Sequence, residues 1–376
     1  MSPSHTLQTV EIVPAYPILY SSSWAVPRDR LHGRMQAVPV ARPPGREGRE
    51  GEWMEKRRLG NNGPEITVIG FGCWAMGGEG WGGSWGPQDD AESVEAIHVA
   101  LDRGINWYDT AAIYGLGHSE EVLGKALGSR RKDVVVATKC GLVWDEQSTV
   151  TNNGRYDSIM READASLRRL GTDYIDLYQM HWPDTHHNAP VEETMRAMQA
   201  LVDAGKVRFV GVSNYDVPLL RQALGVRHVD SLQPPFSLLH REVETEILPF
   251  CLQQGIGVVA YSPLASGLLG GRYTQETTFA EGDWRGRDPN FSGEGLRRNL
   301  AAVERLRAIA TRHGKTVAQL AVAWVLANPA LTSAIVGVRR PSHIVDALPA
   351  ADWHLDAATM AEIESALDPA ATVPAR

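Results

Sequence analysis

The sequence has little cysteine, no long apolar run and no concentration of positive charge, and each shortage removes a class of protein. Three cysteines in 376 residues (Cys73, Cys140 and Cys251) lie far apart and form no C-x-x-C pair. That usage excludes a disulfide framework and fits a reducing compartment, so a cytoplasmic location is expected. No apolar stretch approaches the roughly 18 residues that a spanning helix needs. Lys and Arg number 37 against 45 Asp and Glu, a net charge of −8 without any basic run. Nucleic acid and anionic membrane surfaces attract concentrated positive potential, so neither is an expected partner.

What is present divides in two. Residues 1–53 carry breakers and charge without periodicity, as in Ala41-Arg42-Pro43-Pro44-Gly45-Arg46-Glu47-Gly48-Arg49, and are expected to be disordered. They do not resemble a signal peptide, and Met54 is a candidate for the true start. Residues 54–376 are expected to form one domain. There a short apolar run, a polar loop and a longer amphipathic segment recur. A hairpin is expected over 57–59 and 67–68, around Gly60-Asn61-Asn62-Gly63-Pro64. Core strands are expected at 68–72, 105–108, 134–138, 175–179, 209–212, 231–233, 257–261 and 333–336. Helix-length stretches lie near 88–103, 119–128, 157–170, 191–204, 216–224, 243–254, 295–327 and 341–348. Continuous apolar runs such as Val134-Val135-Val136-Ala137 suit parallel strands covered on both faces. Eight such units predict a closed (β/α)8 barrel, with a long loop over 264–294 and an extra helix near 356–367.

Chemistry in such a barrel sits at the carboxyl ends of the strands. Asp109, Lys139, His181, Ser213 with Asn214, Gln233, Tyr261, and Gly337 with Arg339 all fall there. One polar strand end is ordinary; seven in register are not.

These segments resemble the aldo-keto reductases, especially their bacterial branches. The resemblance is carried by Gly104-Ile105-Asn106-Trp107-Tyr108-Asp109-Thr110-Ala111 with Tyr114-Gly115, by Ala137-Thr138-Lys139 and Gln179-Met180-His181-Trp182, and by Gly211-Val212-Ser213-Asn214 and Tyr261-Ser262-Pro263-Leu264. It runs from about residue 57 to about residue 367. It implies NADPH-dependent reduction of aldehydes or ketones, with hydride delivered to the carbonyl carbon and Tyr114 as the proton donor. Free tyrosine titrates at about 10; a cation at hydrogen-bond distance lowers that value, and Lys139 is the expected cation. Asp109 would hold Lys139, and His181 would position the carbonyl oxygen. An ion pair that merely ties the barrel mouth is the plainer alternative for Asp109 and Lys139.

By the same resemblance, Ser213, Asn214 and Gln233 would bond the nicotinamide carboxamide, and Tyr261 would stack on its ring. Ser262, Leu264, Ser266 and Leu268 would wrap the pyrophosphate. Gly337 and Arg339 would take the adenosine 2′-phosphate, implying NADP over NAD. Two positions depart from the pattern: His343 stands where Gln or Arg is usual, and Ala347 where Asn is usual.

Two motifs invite other readings. Gly78-Glu79-Gly80-Trp81-Gly82-Gly83 satisfies G-x-G-x-x-G, but Ser84-Trp85-Gly86-Pro87 separates it from any helix, and Trp81 is too large for close approach to phosphate. His181, Asp184, His186 and His187 imitate metal ligands, yet a Pro-containing loop gives no convergence, and no metal is expected. Trp74, Trp81, Trp85, Trp144, Trp182 and Trp284 fall in expected rim loops and predict an aromatic-walled substrate pocket, with Trp74, Trp81, Trp144 and Trp182 at its centre. Beside the reductase stand a nucleotide-sensing regulatory subunit on the same fold and a cofactor-free barrel hydrolase or isomerase.

Overall fold

The computed structural model describes residues 54–280 and 283–368. The expected disorder of 1–53 and the candidate start therefore lie outside the described residues. The strands, in chain order, are Lys56–Arg58 (β1), Glu65–Thr67 (β2), Ile69–Gly72 (β3), Trp107–Asp109 (β4), Val135–Cys140 (β5), Leu142–Trp144 (β6), Val150–Asn152 (β7), Ile175–Met180 (β8), Val207–Ser213 (β9), Ser231–Gln233 (β10), Gly257–Ala260 (β11) and Leu331–Gly337 (β12). The helices are Asp90–Asp102 (α1), His118–Leu127 (α2), Tyr156–Leu170 (α3), Val191–Asp203 (α4), Val217–Leu224 (α5), Ile247–Gln254 (α6), Gly293–Arg312 (α7), Val317–Ala327 (α8), Pro341–Ala347 (α9) and Ala357–Leu367 (α10).

Eight strands close on themselves in the order β3-β4-β5-β8-β9-β10-β11-β12, every neighbour parallel. The β1–β2 hairpin is antiparallel and outside that ring. Alternate residues point inward along each strand. Leu59, Ile66, Trp107, Ala137, Leu177, Val259 and Ile335 form the inner core. A second, larger core lies between strands and helices. Trp107 crosses the barrel so closely that a Cβ on Gly70 would stand 2.2 Å from its indole. Its Nε1 donates to Ser333 Oγ at 3.0 Å, so the bulky ring is held without leaving a buried donor unpaired.

The side chains of Asp89, Asp216 and Asp356 accept from first-turn N–H groups of α1, α5 and α10, each satisfying an orphan donor. The expected helical stretch 295–327 is in fact two helices, α7 and α8. Gly314, at φ +65°, ends the first turn-out, and a Thr316–Gln319 capping box starts the second. The 264–294 segment is not a bare loop. It contains 3-10 turns at Ala265–Gly270, Trp284–Arg287 and Pro289–Phe291, around a cluster of Tyr273, Phe279, Trp284 and Phe291. Trp284 packs edge-on against Phe291 at 5.7 Å and so belongs to the packing of this segment. No helix among the described residues is long and apolar enough to cross a membrane.

Candidate active site

Parity along the strands carries polar side chains into the upper end of the barrel. Two residues beyond inward-facing Trp107 comes Asp109; two beyond Ala137 comes Lys139; two beyond Leu177 comes Gln179. Asp109 and Lys139 are 3% and 1% exposed. Lys139 Nζ donates to Asp109 Oδ1 (2.6 Å), Thr110 O (2.8 Å) and the Tyr114 hydroxyl (3.3 Å). All three ammonium protons thus have acceptors. Asp109 Oδ2 accepts from Gln233 Nε2 at 2.8 Å and Gln179 Nε2 at 3.4 Å. A buried ion pair persists only when its remaining bonding capacity is filled in this way.

Tyr114 hangs over this pair from the turn after β4. Gly115 permits that turn: it sits at φ +62°, and a Cβ there would stand 2.2 Å from Gly77 O. The phenol ring stacks on Trp74 (5.8 Å, 9° between planes), touches Trp81 at 5.7 Å, and meets the His181 ring edge-on at 5.8 Å. Burial, then the Asp109 carboxylate, push the Tyr114 pKa well above its ordinary value. This reverses the sequence expectation that Lys139 would lower it. The ammonium charge is committed to Asp109 at 2.6 Å, leaving the phenol the longest of its three bonds. His181 keeps a partly exposed edge, but the burial around it, and then the Lys139 charge, hold its pKa well below the usual range. It is therefore neutral at physiological pH, with one ring N–H to donate.

The expected cofactor residues form one connected network. Ser213 Oγ donates to Gln233 O (2.7 Å), and Asn214 N to the same carbonyl (3.2 Å). Asn214 Nδ2 donates to Ser213 Oγ and to His181 O, both at 3.0 Å, while Tyr261 OH donates to Asn214 Oδ1 at 2.9 Å. Asn214, Ser262, Ala265 and Ser266 are non-glycine residues with φ between +46° and +62°. Strained backbone of this kind gathers at ligand clamps. Leu268, within the Ala265–Gly270 turn, is buried in the core, and Leu264, just before that turn, leans on the same core, so their side chains pack inward. At the end of β12, Gly337 is exposed, and a Cβ there would meet nothing. Arg339 donates from Nε to Gln88 Oε1 (3.0 Å), from Nη1 to Trp85 O (3.2 Å) and from Nη2 to Pro87 O (2.5 Å). Burial, then Arg340, Arg272 and Arg339, lower the pKa of His343, with Asp346 opposing them. Arg340 Nε also lies 3.1 Å from His343 Nε2, so this corner is rich in guanidinium, the group that bonds anionic oxygens most strongly.

Tyr114, Trp74, Trp81, Trp144, Trp182, Leu142 and Val150 share one cluster. Trp74 Nε1 donates to Gly83 O (2.7 Å) and Trp81 Nε1 to Gly78 O (3.0 Å). The glycine-rich segment thus pins two indoles. Trp85 tilts against Trp74 at 6.2 Å, under the Arg285 guanidinium at 4.5 Å. The Asp184 carboxylate accepts backbone N–H groups of Gly154, His186, His187 and Ala189, which makes it an organiser of its loop. Among the described residues no cluster of three or more His, Cys, Asp or Glu is placed to hold a metal. Sequence reading passed over Gln179, Gln88, Arg272 and Arg285. Only Gln179 had a signal, its inward parity two residues before His181.

The model of the Aldo/keto reductase family matches residues 68–368. The chain belongs to that family. Its members are NAD(P)H-dependent oxidoreductases, and the eight-stranded barrel is theirs. Aldo-keto reductase YhdN of Bacillus subtilis is 40% identical over 318 residues, 84% of this chain and 94% of that protein. The NADH-specific methylglyoxal reductase of Escherichia coli is 35% identical, covering 84% and 100%. Among solved structures, the glycerol dehydrogenase AKR11B4 of Gluconobacter oxydans aligns with a TM-score of 0.77 at 35% identity, covering 85% of this chain and 98% of that one.

Proposed function

We propose that this aldo-keto reductase reduces apolar, chiefly aromatic aldehydes and ketones, prefers NADPH to NADH, and uses Tyr114 as the proton donor. The carrying observation is the Lys139 ammonium bonded at once to Asp109 and to the Tyr114 hydroxyl beneath an indole wall. When bound, the reduced nicotinamide supplies a hydride to the carbonyl carbon. Burial keeps Tyr114 protonated, so its O–H is ready to donate as charge grows on the carbonyl oxygen. Lys139, 3.3 Å away, stabilises the phenolate left behind, and Asp109 keeps Lys139 charged and aimed. Neutral His181, edge-on to the phenol, donates to the same oxygen and orients it. Ser213, Asn214, Gln233 and Tyr261 hold the nicotinamide, and the Ser262–Leu268 turn the pyrophosphate.

Substrate class follows from what the wall withholds. The Trp74 and Trp81 N–H groups are spent on their own loop, leaving carbon faces. A charged sugar would lose hydration there without a partner. The proposed NADPH preference rests on Arg272, Arg339 and Arg340 alone and draws nothing from the relatives, for the methylglyoxal reductase named above is NADH-specific. Three buried free cysteines support a cytoplasmic location.

The test is NADPH absorbance decay with 4-nitrobenzaldehyde, wild type beside Tyr114→Phe. We expect kcat to fall about 10²- to 10⁴-fold with cofactor affinity unchanged. A variant within tenfold of wild type would remove Tyr114 from the role. Tight NADPH binding without turnover in either protein would favour the regulatory-subunit reading, and faster turnover of sugar phosphates would overturn the aromatic pocket.

A further inference from the structure

We infer that Gln233 is a positioning residue for Asp109, and that it couples occupancy of the nicotinamide site to the Asp109–Lys139–Tyr114 set. The inference rests on the reductase reading and deepens it. Gln233 ends β10, and β10 lies four places round the eight-stranded ring from β4. Its side chain therefore spans the barrel mouth to reach Asp109 Oδ2 at 2.8 Å. Gln179, on β8, reaches the same oxygen from the side at 3.4 Å. All three residues are at most 3% exposed.

Chemistry fixes the orientation of the amide. Asp109 as a carboxylate only accepts, so Gln233 must turn its NH2 end inward. Its carbonyl end, which no described residue engages, is then the end left for a ligand, and it accepts an N–H such as that of a carboxamide. The main chain of Gln233 is tied as well: its carbonyl takes Ser213 Oγ and Asn214 N, and Asn214 holds Tyr261 OH. An unbroken series of hydrogen bonds thus runs from Tyr261 through Asn214, Gln233, Asp109 and Lys139 to Tyr114. A ligand bond that polarises or shifts the Gln233 amide changes the donor on Asp109 Oδ2. Asp109 in turn sets how much of the Lys139 charge faces Tyr114. Gln179 is a weak substitute, for its own Oε1 is buried and unpartnered, so its amide is already poorly satisfied where it stands.

Dissociation constants for NADPH and NADH, read by fluorescence quenching, test this with wild type, Gln233→Leu, Asp109→Asn and the double variant, each checked for folding by circular dichroism. The expected result is that Asp109→Asn alters cofactor affinity in the wild-type background and much less when Gln233 is leucine. The departure from multiplicative effects should be about fivefold or more. Multiplicative effects within about twofold would overturn the inference and leave the reductase reading intact. Failure of wild type to bind either cofactor overturns both. Should Gln233→Leu not fold, Gln233→Glu takes its place. Two carboxylates cannot share this site fully ionised, so its kcat should fall steeply as pH rises, and a profile matching wild type would overturn the proposal.

Discussion

Lys139 shows how much one side chain can carry when each of its bonds is accounted for. It is almost wholly buried, and its three donors serve Asp109, Thr110 and Tyr114. Removing it leaves Asp109 charged, buried and without a counterion. We expect Lys139→Met to destabilise the fold by about 3–5 kcal/mol. Lys139→Met with Asp109→Leu should recover much of that, because a matched apolar pair leaves no stranded charge. Urea unfolding of the three proteins checks this, and equal losses in the single and double variants would show that packing, not charge, is what Lys139 supplies. Asp109, Lys139 and His181 were legible in the sequence because each follows an apolar run that must be a strand. The electrostatics of Tyr114 were not. They depend on burial against Trp74 and Trp81 and on which partner takes the ammonium at the shortest distance, and spacing reports neither.

Helix α3 illustrates the same limit one scale up. Its apolar face and length were readable, but its inward Glu162 carries a consequence that only packing reveals. Glu162 Oε2 accepts Gly141 N at 2.8 Å, and Oε1 accepts Ser158 Oγ at 3.0 Å. Gly141, at φ +85°, turns the chain two residues after Lys139. Burial pushes the Glu162 pKa from 4.5 up to about 7, against the pull of those bonds and of Arg161 and Arg169. A carboxyl raised in the folded state keeps its proton longer there than in the unfolded chain. Its contribution is therefore full below about pH 4.5 and is lost as pH rises toward 7. Relative to Glu162→Gln, wild type should lose on the order of 3 kcal/mol between pH 4.5 and 8, read from urea midpoints across that range. Parallel curves for the two proteins would sink the assignment. The β6–β7 hairpin that follows was invisible in the sequence, since three-residue strands are too short to show a period. The break between α7 and α8 was visible in Gly314 and the Thr316–Gln319 spacing, yet a long apolar period over 295–327 masked it.

Across the whole molecule, the barrel brings loops distant in sequence to one rim, and a net charge of −8 does not prevent a positive corner there. Arg339 N and Arg340 Nε lie 3.3 and 3.1 Å from the two ring nitrogens of His343, and the charges of Arg340, Arg272 and Arg339 all lower its pKa, but the three arginines are not equivalent. Arg272 is exposed and engages no described partner at hydrogen-bond distance, whereas Arg339 also fastens the 85–88 segment whose Trp85 backs Trp74 and, through it, Tyr114. The two arginines should therefore fail differently. Arg272→Ala should weaken NADPH a few-fold, in keeping with the roughly 0.2–1 kcal/mol of an exposed charge contact, while leaving NADH and the aldehyde KM alone. Arg339→Ala should cost NADPH about tenfold or more, as a charged hydrogen bond of about 1.5–3 kcal/mol implies, and raise the aldehyde KM as the segment loosens. Added salt should erode the proposed NADPH preference, because screening acts on the extra phosphate charge. Steady-state kinetics with both cofactors at low and high salt separate these cases. If Arg272→Ala weakened NADPH and NADH alike, the corner would be reading the pyrophosphate they share, and the basis for NADPH preference would narrow to Arg339 and Arg340.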